Sequence, residues 1–238
     1  MDLTTRPASA AAGLDLGSQW DPTRPSAAGF AAVAAAAAAA GAQEVTIAAH
    51  PATQASDIAA ATAGFDVTRE MLQLRRALPV DADPPSVAVR AFRPGLDDQR
   101  WLEVNRRAFA WHPDQGSWTA SDLARRMAEP WFDPGGFLVH DDELTGDLDA
   151  FCWTKVHPAT DLGPPMGEIF VIAVDPDAHG RGLGKAMTVA GLNHLHSLGL
   201  TAAMLFVESD NHAGRSLYAA LGFGEHERHR WYRRSLVD

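Results

Sequence analysis

Apolar positions along the chain follow two spacings, about 3.6 residues and two residues, and stretches of the two kinds alternate. Residues 30–40 are nearly all strong helix formers, and Gly41 follows as a helix stop. Residues 44–49 read as a strand, 52–63 as a helix ending at Gly64-Phe65, and 67–74 as another strand. The proline-rich stretch 79–85 reads as a linker. Beyond it the pattern predicts a strand at 87–92, helices at 96–110 and 120–128, and strands at 137–140, 148–157 and 167–174. A helix at 182–198, a strand at 202–207, a helix at 211–221 ending at Gly222-Phe223, and a strand at 226–234 complete the chain. In the helix at 182–198, Leu183, Met187, Ala190, Leu195 and Leu198 fall on one face. Residues 1–29, rich in Ala, Ser, Pro and Gly without periodicity, are expected to be poorly ordered.

The order helix, strand, helix, Gly-Phe, strand occurs twice, at 30–78 and again from 182 onward. The shared endings Thr62-Ala63-Gly64-Phe65 and Ala220-Leu221-Gly222-Phe223 make an internal repeat a reasonable expectation. An unrelated α/β appendage is the alternative for the first stretch.

The chemistry concentrates at Ile172-Ala173-Val174-Asp175-Pro176-Asp177-Ala178-His179-Gly180-Arg181-Gly182-Leu183-Gly184-Lys185. An apolar strand enters a glycine-rich turn that opens directly into a helix. Such a turn aims backbone N–H groups, at the positive end of a helix dipole, towards one spot suited to a phosphate or pyrophosphate. Taken alone, it is also compatible with an ordinary strand-to-helix loop. A dinucleotide fold would place its glycines after the first strand of a βαβ unit, and here they come late. Downstream lies Asn211 followed by Leu217-Tyr218-Ala219-Ala220-Leu221-Gly222-Phe223. With that N-x5-L-Y-x2-L-G-F stretch, the chain resembles the GNAT superfamily of acyl-CoA-dependent N-acetyltransferases. The resemblance implies an α/β (α+β) fold, a GNAT-type mixed twisted sheet flanked by helices. It further implies a complete catalytic domain at 86–238 and a truncated or degenerate copy at 30–78.

Composition narrows the partners. Thirty acidic residues against 20 basic ones, a formal charge of −10, argue against a nucleic-acid surface. An anionic cofactor must then be held by local geometry. Cys152 is the only cysteine, so no intramolecular disulfide forms, which fits a reducing cytoplasm. No signal peptide is evident, and the alanine-rich run at 31–40 is too short for a membrane span. The ten histidines show no metal-ligand spacing, and His226 and His229 are expected at the surface. A monomer acting on a small-molecule amine is the expectation, with no nucleic acid, membrane or metal involved.

Acyl transfer from CoA to an amine needs a pyrophosphate grip, a dipole for the thioester carbonyl, a base for the ammonium and an acid for the leaving thiolate. The grip falls to the backbone of His179, Gly180, Arg181, Gly182, Leu183, Gly184 and Lys185, whose glycines admit phosphate oxygens. Arg181 and Lys185 either add charge-assisted contacts or face solvent. By resemblance, the dipole comes from the backbone N–H groups of Ile172, Ala173 and Val174, at a bulge where this strand splays from the next. Further acetyl-CoA contacts are implied from Asn211, His212, Ala213, Gly214, Arg215 and Ser216. Glu168 is the candidate base; strand alternation puts it on one face with Phe170 and Ile172, where apolar neighbours would raise its pKa. A solvated carboxylate at a strand start is its alternative. Tyr218 is the candidate acid, two helical turns after Asn211, with a packed core tyrosine as the alternative.

Four stretches carry a narrower resemblance. They are Asn105-Arg106-Arg107-Ala108-Phe109-Ala110-Trp111-His112-Pro113-Asp114-Gln115-Gly116, Glu129-Pro130-Trp131-Phe132-Asp133-Pro134, Trp153-Thr154-Lys155-Val156-His157, and Gly167-Glu168-Ile169-Phe170-Val171-Ile172. Over residues 30–238 the chain is similar to the mycothiol synthases. They have tandem acetyltransferase domains, the C-terminal one active, and acetylate the cysteinyl amine of cysteinyl-glucosaminyl-inositol with acetyl-CoA. The resemblance implies that Asp114, Lys155 and Glu168 hold the polar substrate. Asp114 stands where the family usually has Glu, and Phe206 stands at a substrate-facing position that usually holds Tyr. Acetylation of another small amine or a peptide N-terminus, or non-catalytic acyl-CoA binding, are the other functions the residues allow.

Overall fold

The computed structural model describes residues 25–83, 85, 87–112, 115–161 and 163–237. In chain order the N-terminal elements are α1 (Ala27–Ala39), β1 (Glu44–Ala49), α2 (Gln54–Thr62), β2 (Asp66–Ala77), β3 (Arg90–Ala91), α3 (Asp98–Ala108) and α4 (Ala120–Met127). There follow β4 (Phe137–Asp141), β5 (Leu148–His157), β6 (Met166–Val174), α5 (Leu183–Ser197), β7 (Ala202–Glu208), α6 (His212–Ala220) and β8 (Gly224–Ser235). The chain forms two compact units. One holds the described residues up to Leu74 with Val207–His212 and those from Glu225 on; the other holds Arg75–Phe206 and Ala213–Gly224. Among the described residues no helix is long and apolar enough to cross a membrane.

In the first unit the strands run in the order β1-β8-β2, with β1 and β8 antiparallel from Glu44↔Ser235 to Ala49↔Arg230. Helices α1 and α2 bury Phe30, Val33, Ala37 and Ala60 against Val45, Ile47, Phe65 and Tyr232. Alanine keeps these helices thin, and the bulk comes from Phe30, which meets Phe65 and Tyr232 edge-on at 5.1 and 5.5 Å. The buried Tyr232 hydroxyl donates to Asp57 (2.7 Å). Of the residues up to 29 expected to be poorly ordered, Ala27–Gly29 are helical. Helix α1 starts at Ala27 because Ser26 accepts a hydrogen bond from Gly29 N (3.1 Å) and so caps it. Residues 1–24 lie outside the described ones. His229, expected at the surface, is buried, with Nε2 2.9 Å from Glu227 and its ring 4.6 Å from that of His50.

The second unit is built on the order β7-β6-β5-β4-β3. Its pairs are antiparallel except β6 with β7, so the sheet is mixed. Strand β5 is covered on both faces. Trp101 of α3 meets Phe151 and Trp153, and Gly191 of α5 sits over Cys152 and Thr154. A β-carbon at Gly191 would lie 2.5 Å from Cys152 Sγ and 2.8 Å from Ile169 Cδ1, so only glycine lets α5 seat this low. Cys152 is fully buried and burial pushes its thiol pKa up, as fits an inert packing residue. Helix α5 buries more than the single predicted face, since Val189, Gly191 and Leu192 are inside too, whereas Leu198 caps its end and is exposed. The strand expected at 87–92 shrinks to two residues. It lies at the edge, Phe92 N donates to Phe137 O (2.6 Å), and Pro94-Gly95 turns the chain away.

Candidate active site

Strand β6 is where two geometries change at once. Its antiparallel register with β5 pairs Ile169 with Thr154 and Val171 with Trp153, which leaves Phe170 as the extra residue of a β-bulge. Its parallel ladder with β7 runs from Gly167↔Ala203 to Ile169↔Leu205 and ends there. Ile172, Ala173 and Val174 lie past that end and are half-buried, not core. The bulge also changes the expected facing. Ile172 pairs with Cys152 on the α5 side, while Glu168 pairs with Lys155 on the other. Simple alternation over Glu168, Phe170 and Ile172 therefore fails at Phe170.

Asp175 closes β6. Its N–H donates to Asp149 O (2.7 Å), and its carboxylate accepts from Asp177 N (2.9 Å). Arg107 of α3 pairs with both Asp175 (3.1 Å) and Asp177 (2.6 Å). The chain then passes through Gly180 (φ +80) and Gly182 (φ +78), and Gly182 is the cap of α5. His179, Gly180, Arg181, Gly182 and Lys185 are exposed, Gly184 is half-buried and Leu183 is anchored in the core. His179 Nε2 lies 3.2 Å from Val174 O, which ties the turn to the strand end. A backbone turn open to solvent at the N-terminus of a 15-residue helix fits a pyrophosphate. Arg181, however, reaches away from it. Its guanidinium pairs with Asp142 (2.8 Å) and Asp149 (3.1 Å), and Asp149 is itself 2.5 Å from the buried His140. The side chain thus braces the turn against the β4–β5 hairpin.

Nothing lies within 4 Å of where a Gly182 β-carbon would stand, so its constraint is conformational. A β-branched side chain is a strong outlier at this φ. Gly182→Val is expected to weaken acetyl-CoA binding more than tenfold, roughly 1.4 kcal/mol or more. Calorimetry on a folded variant checks this; unchanged affinity would remove the turn from the binding site.

Glu168 is 2 % exposed. Its Oε2 lies 2.7 Å from His157 Nε2. Its pKa lies below the ordinary carboxylate value rather than raised as expected: burial favours the neutral acid, but the His157 hydrogen bond and the nearby His157 and Lys155 charges favour the carboxylate. Lys155 holds its ammonium 4.9 Å from the Trp131 ring centroid and 5.7 Å from that of Phe170. His157 and Trp131 are site residues to which no role was assigned from sequence. Strand alternation does place Lys155 and His157 on one face. The hairpin register that brings Glu168 to them is not readable through the loop at 158–165.

Tyr218 is buried on α6, edge-on to Phe223 at 5.8 Å, and burial pushes its phenol pKa up. A phenol so shifted stays protonated at neutral pH. Ala213, Gly214, Arg215 and Ser216 form the first turns of α6 in the same unit. Asn211 and His212 group with the other unit, where their N–H groups donate to Glu208 O (3.1 Å) and Asp210 O (2.9 Å). Phe206 is half-buried on β7. Asp114 lies outside the described residues.

The model of the acetyltransferase (GNAT) family matches residues 100–223, more than half of the chain. The chain belongs to the GNAT family. It is 51 % identical over 172 residues to a mycothiol acetyltransferase of Geodermatophilus obscurus, covering 68 % of this chain and 54 % of that protein. The chain thus spans about half the length of the curated relatives it matches. Among solved structures, a GCN5-related N-acetyltransferase from Sphaerobacter thermophilus aligns over 82 % of this chain and 61 % of its own, with 21 % identity and TM-score 0.65. A tandem GNAT protein from the clavulanic acid biosynthesis pathway aligns over 89 % of this chain and 70 % of its own, with 18 % identity and TM-score 0.63. The mixed sheet with its bulged β6 is therefore a GNAT fold.

Proposed function

We propose that this GNAT protein is an acetyl-CoA-dependent N-acetyltransferase of the mycothiol synthase type, which acetylates the cysteinyl amine of cysteinyl-glucosaminyl-inositol to form mycothiol. The observation that carries the reading is the pairing of a nearly inaccessible Glu168 with Lys155 and His157 on the bulged strand that leads into the glycine turn. The 51 % identity to a mycothiol acetyltransferase supplies the substrate class.

In this reading the backbone of residues 179–185 holds the pyrophosphate, assisted by residues 213–216 of the same unit, and the backbone of Ile172, Ala173 and Val174 faces the thioester arm. Glu168 takes a proton from the substrate ammonium, which frees the nitrogen lone pair to attack the thioester carbonyl. Tyr218 donates its phenolic proton to the departing thiolate. Lys155 and Glu168, with Asp114, hold the hydroxyl-rich cationic acceptor, and Phe206 lines it without a hydroxyl. Transfer is direct, since the buried Cys152 offers no nucleophile. The protein works as a cytoplasmic monomer on small molecules.

Residues 30–78 carry, in the same reading, the tail half of a second acetyltransferase fold. Both stretches end a helix alike. Gly64 (φ +76) and Gly222 (φ +79) follow the helix, with Phe65 N donating to Ala60 O (2.9 Å) and Phe223 N to Tyr218 O (3.0 Å). The likeness to a tandem GNAT structure supports this.

The test is a kcat/KM comparison with acetyl-CoA as donor. Cysteinyl-glucosaminyl-inositol is expected to outperform free cysteine, glucosamine and peptide N-termini, because the sugar-inositol supplies binding energy that orients the amine. Higher efficiency on a peptide or simple amine would leave a GNAT enzyme of different specificity.

A further inference from the structure

We propose that His157 carries to solvent the proton that Glu168 takes from the acceptor amine, a role that rests on the reading of Glu168 as the base. Glu168 is 2 % exposed, so its carboxyl does not exchange protons with bulk water directly. Each turnover leaves one proton on it, and the carboxylate must be restored before the next ammonium binds. The His157 imidazole bridges that gap. Its Nε2 is 2.7 Å from Glu168 Oε2, and its side chain is 34 % exposed, so the imidazole touches the buried acid and is itself partly open to water. Lys155, directly across from Glu168, cannot serve while charged, because an ammonium has no acceptor. It stays beside the Trp131 and Phe170 rings as the fixed positive charge.

The step is a proton transfer with no redox change. The ammonium N–H bond breaks as a Glu168 O–H bond forms. At rest Nε2–H donates to the ionised carboxylate. While Glu168 holds the proton, exchange with solvent gives the Nδ1–H tautomer; the Glu168 O–H bond then breaks as Nε2–H forms, giving the imidazolium, and water removes the Nδ1 proton, which leaves the starting Nε2–H tautomer.

A purely structural His157 would only satisfy the buried carboxylate, and two variants separate the roles. His157→Gln keeps a hydrogen-bond donor but cannot relay a proton. With acetyl-CoA and cysteinyl-glucosaminyl-inositol, it is expected to lower kcat about tenfold or more, with both KM values within about twofold of the parent. In folded His157→Gly, added imidazole is expected to restore part of the lost amide formation. A His157→Gln kcat within about twofold of the parent would overturn the relay, as would a His157→Gly deficit that imidazole does not relieve. Glu168→Gln run alongside distinguishes the two readings. If it is inactive while His157→Gln is unaffected, the base stands and the relay falls; if it turns over normally, the base assignment falls and the relay with it.

Discussion

Glu168→Gln is expected to lower kcat by roughly 10²-fold or more while leaving acetyl-CoA affinity nearly unchanged. The amide is close to isosteric and still offers a partner to His157 Nε2, so the bulged strand keeps its packing. What it loses is the ability to accept a proton, and the amine then attacks only from its minor unprotonated fraction. The proposed donor contacts are elsewhere, on the glycine turn and at the open end of β6, so binding and chemistry separate cleanly in this variant. Steady-state kinetics with a titration of acetyl-CoA binding read both quantities. Parental turnover would make Glu168 a structural carboxylate satisfied by His157 and Lys155.

The largest expected loss of stability is at Trp153. Its ring is fully buried and stacks on Phe137 at 4.2 Å, with Phe170, Phe132, Trp131 and Trp101 around it at 5.5 to 6.1 Å. Truncation removes the transfer energy of a large ring and leaves a cavity walled by rigid aromatics, which cannot collapse to fill it. Trp153→Ala is expected to cost about 3–5 kcal/mol, read from a urea midpoint, and Trp153→Phe distinctly less. Because Trp131 leans on Trp153 and also flanks the Lys155 ammonium, acceptor binding should weaken together with stability. A loss under about 1 kcal/mol for the alanine variant would mean that the cluster is far more plastic than its packing indicates.

Element types were readable throughout the described chain because the periodicity of helices and strands is local. β1 and β5 keep their expected bounds, Glu44–Ala49 and Leu148–His157. Errors arose where tertiary partners decide. Residues 87–92 are apolar enough for a strand, but the edge position leaves only Arg90–Ala91 paired. His229 looks like a surface histidine until the strand it occupies is packed. At the site, the glycine turn was legible because positive φ demands glycine at 180 and 182. The bulge at Phe170 was not legible from alternation, since a one-residue insertion in a ladder leaves no mark in a run of apolar residues. Nor was the direction of Arg181, which is set by Asp142 and Asp149 on a distant hairpin. His157 was hidden for a related reason, because its partnership with Glu168 depends on register across a loop.

Gly191 ties the core to the ligand end of α5. It stands nine residues after the cap at Gly182, about 13 Å along a rigid helical rod. Its missing side chain lets the rod rest on Cys152 and Ile169. The turn is the rod's own beginning, so the clearance at Gly191 sets how high the turn stands above the sheet. A methyl group there would act like a shim under one end of a lever, tilting the phosphate-facing amides without touching any residue that meets the ligand. Under the proposed function, variation deep in this core reads out as variation in donor affinity, and side chains that never contact acetyl-CoA join the set that determines how well it is held.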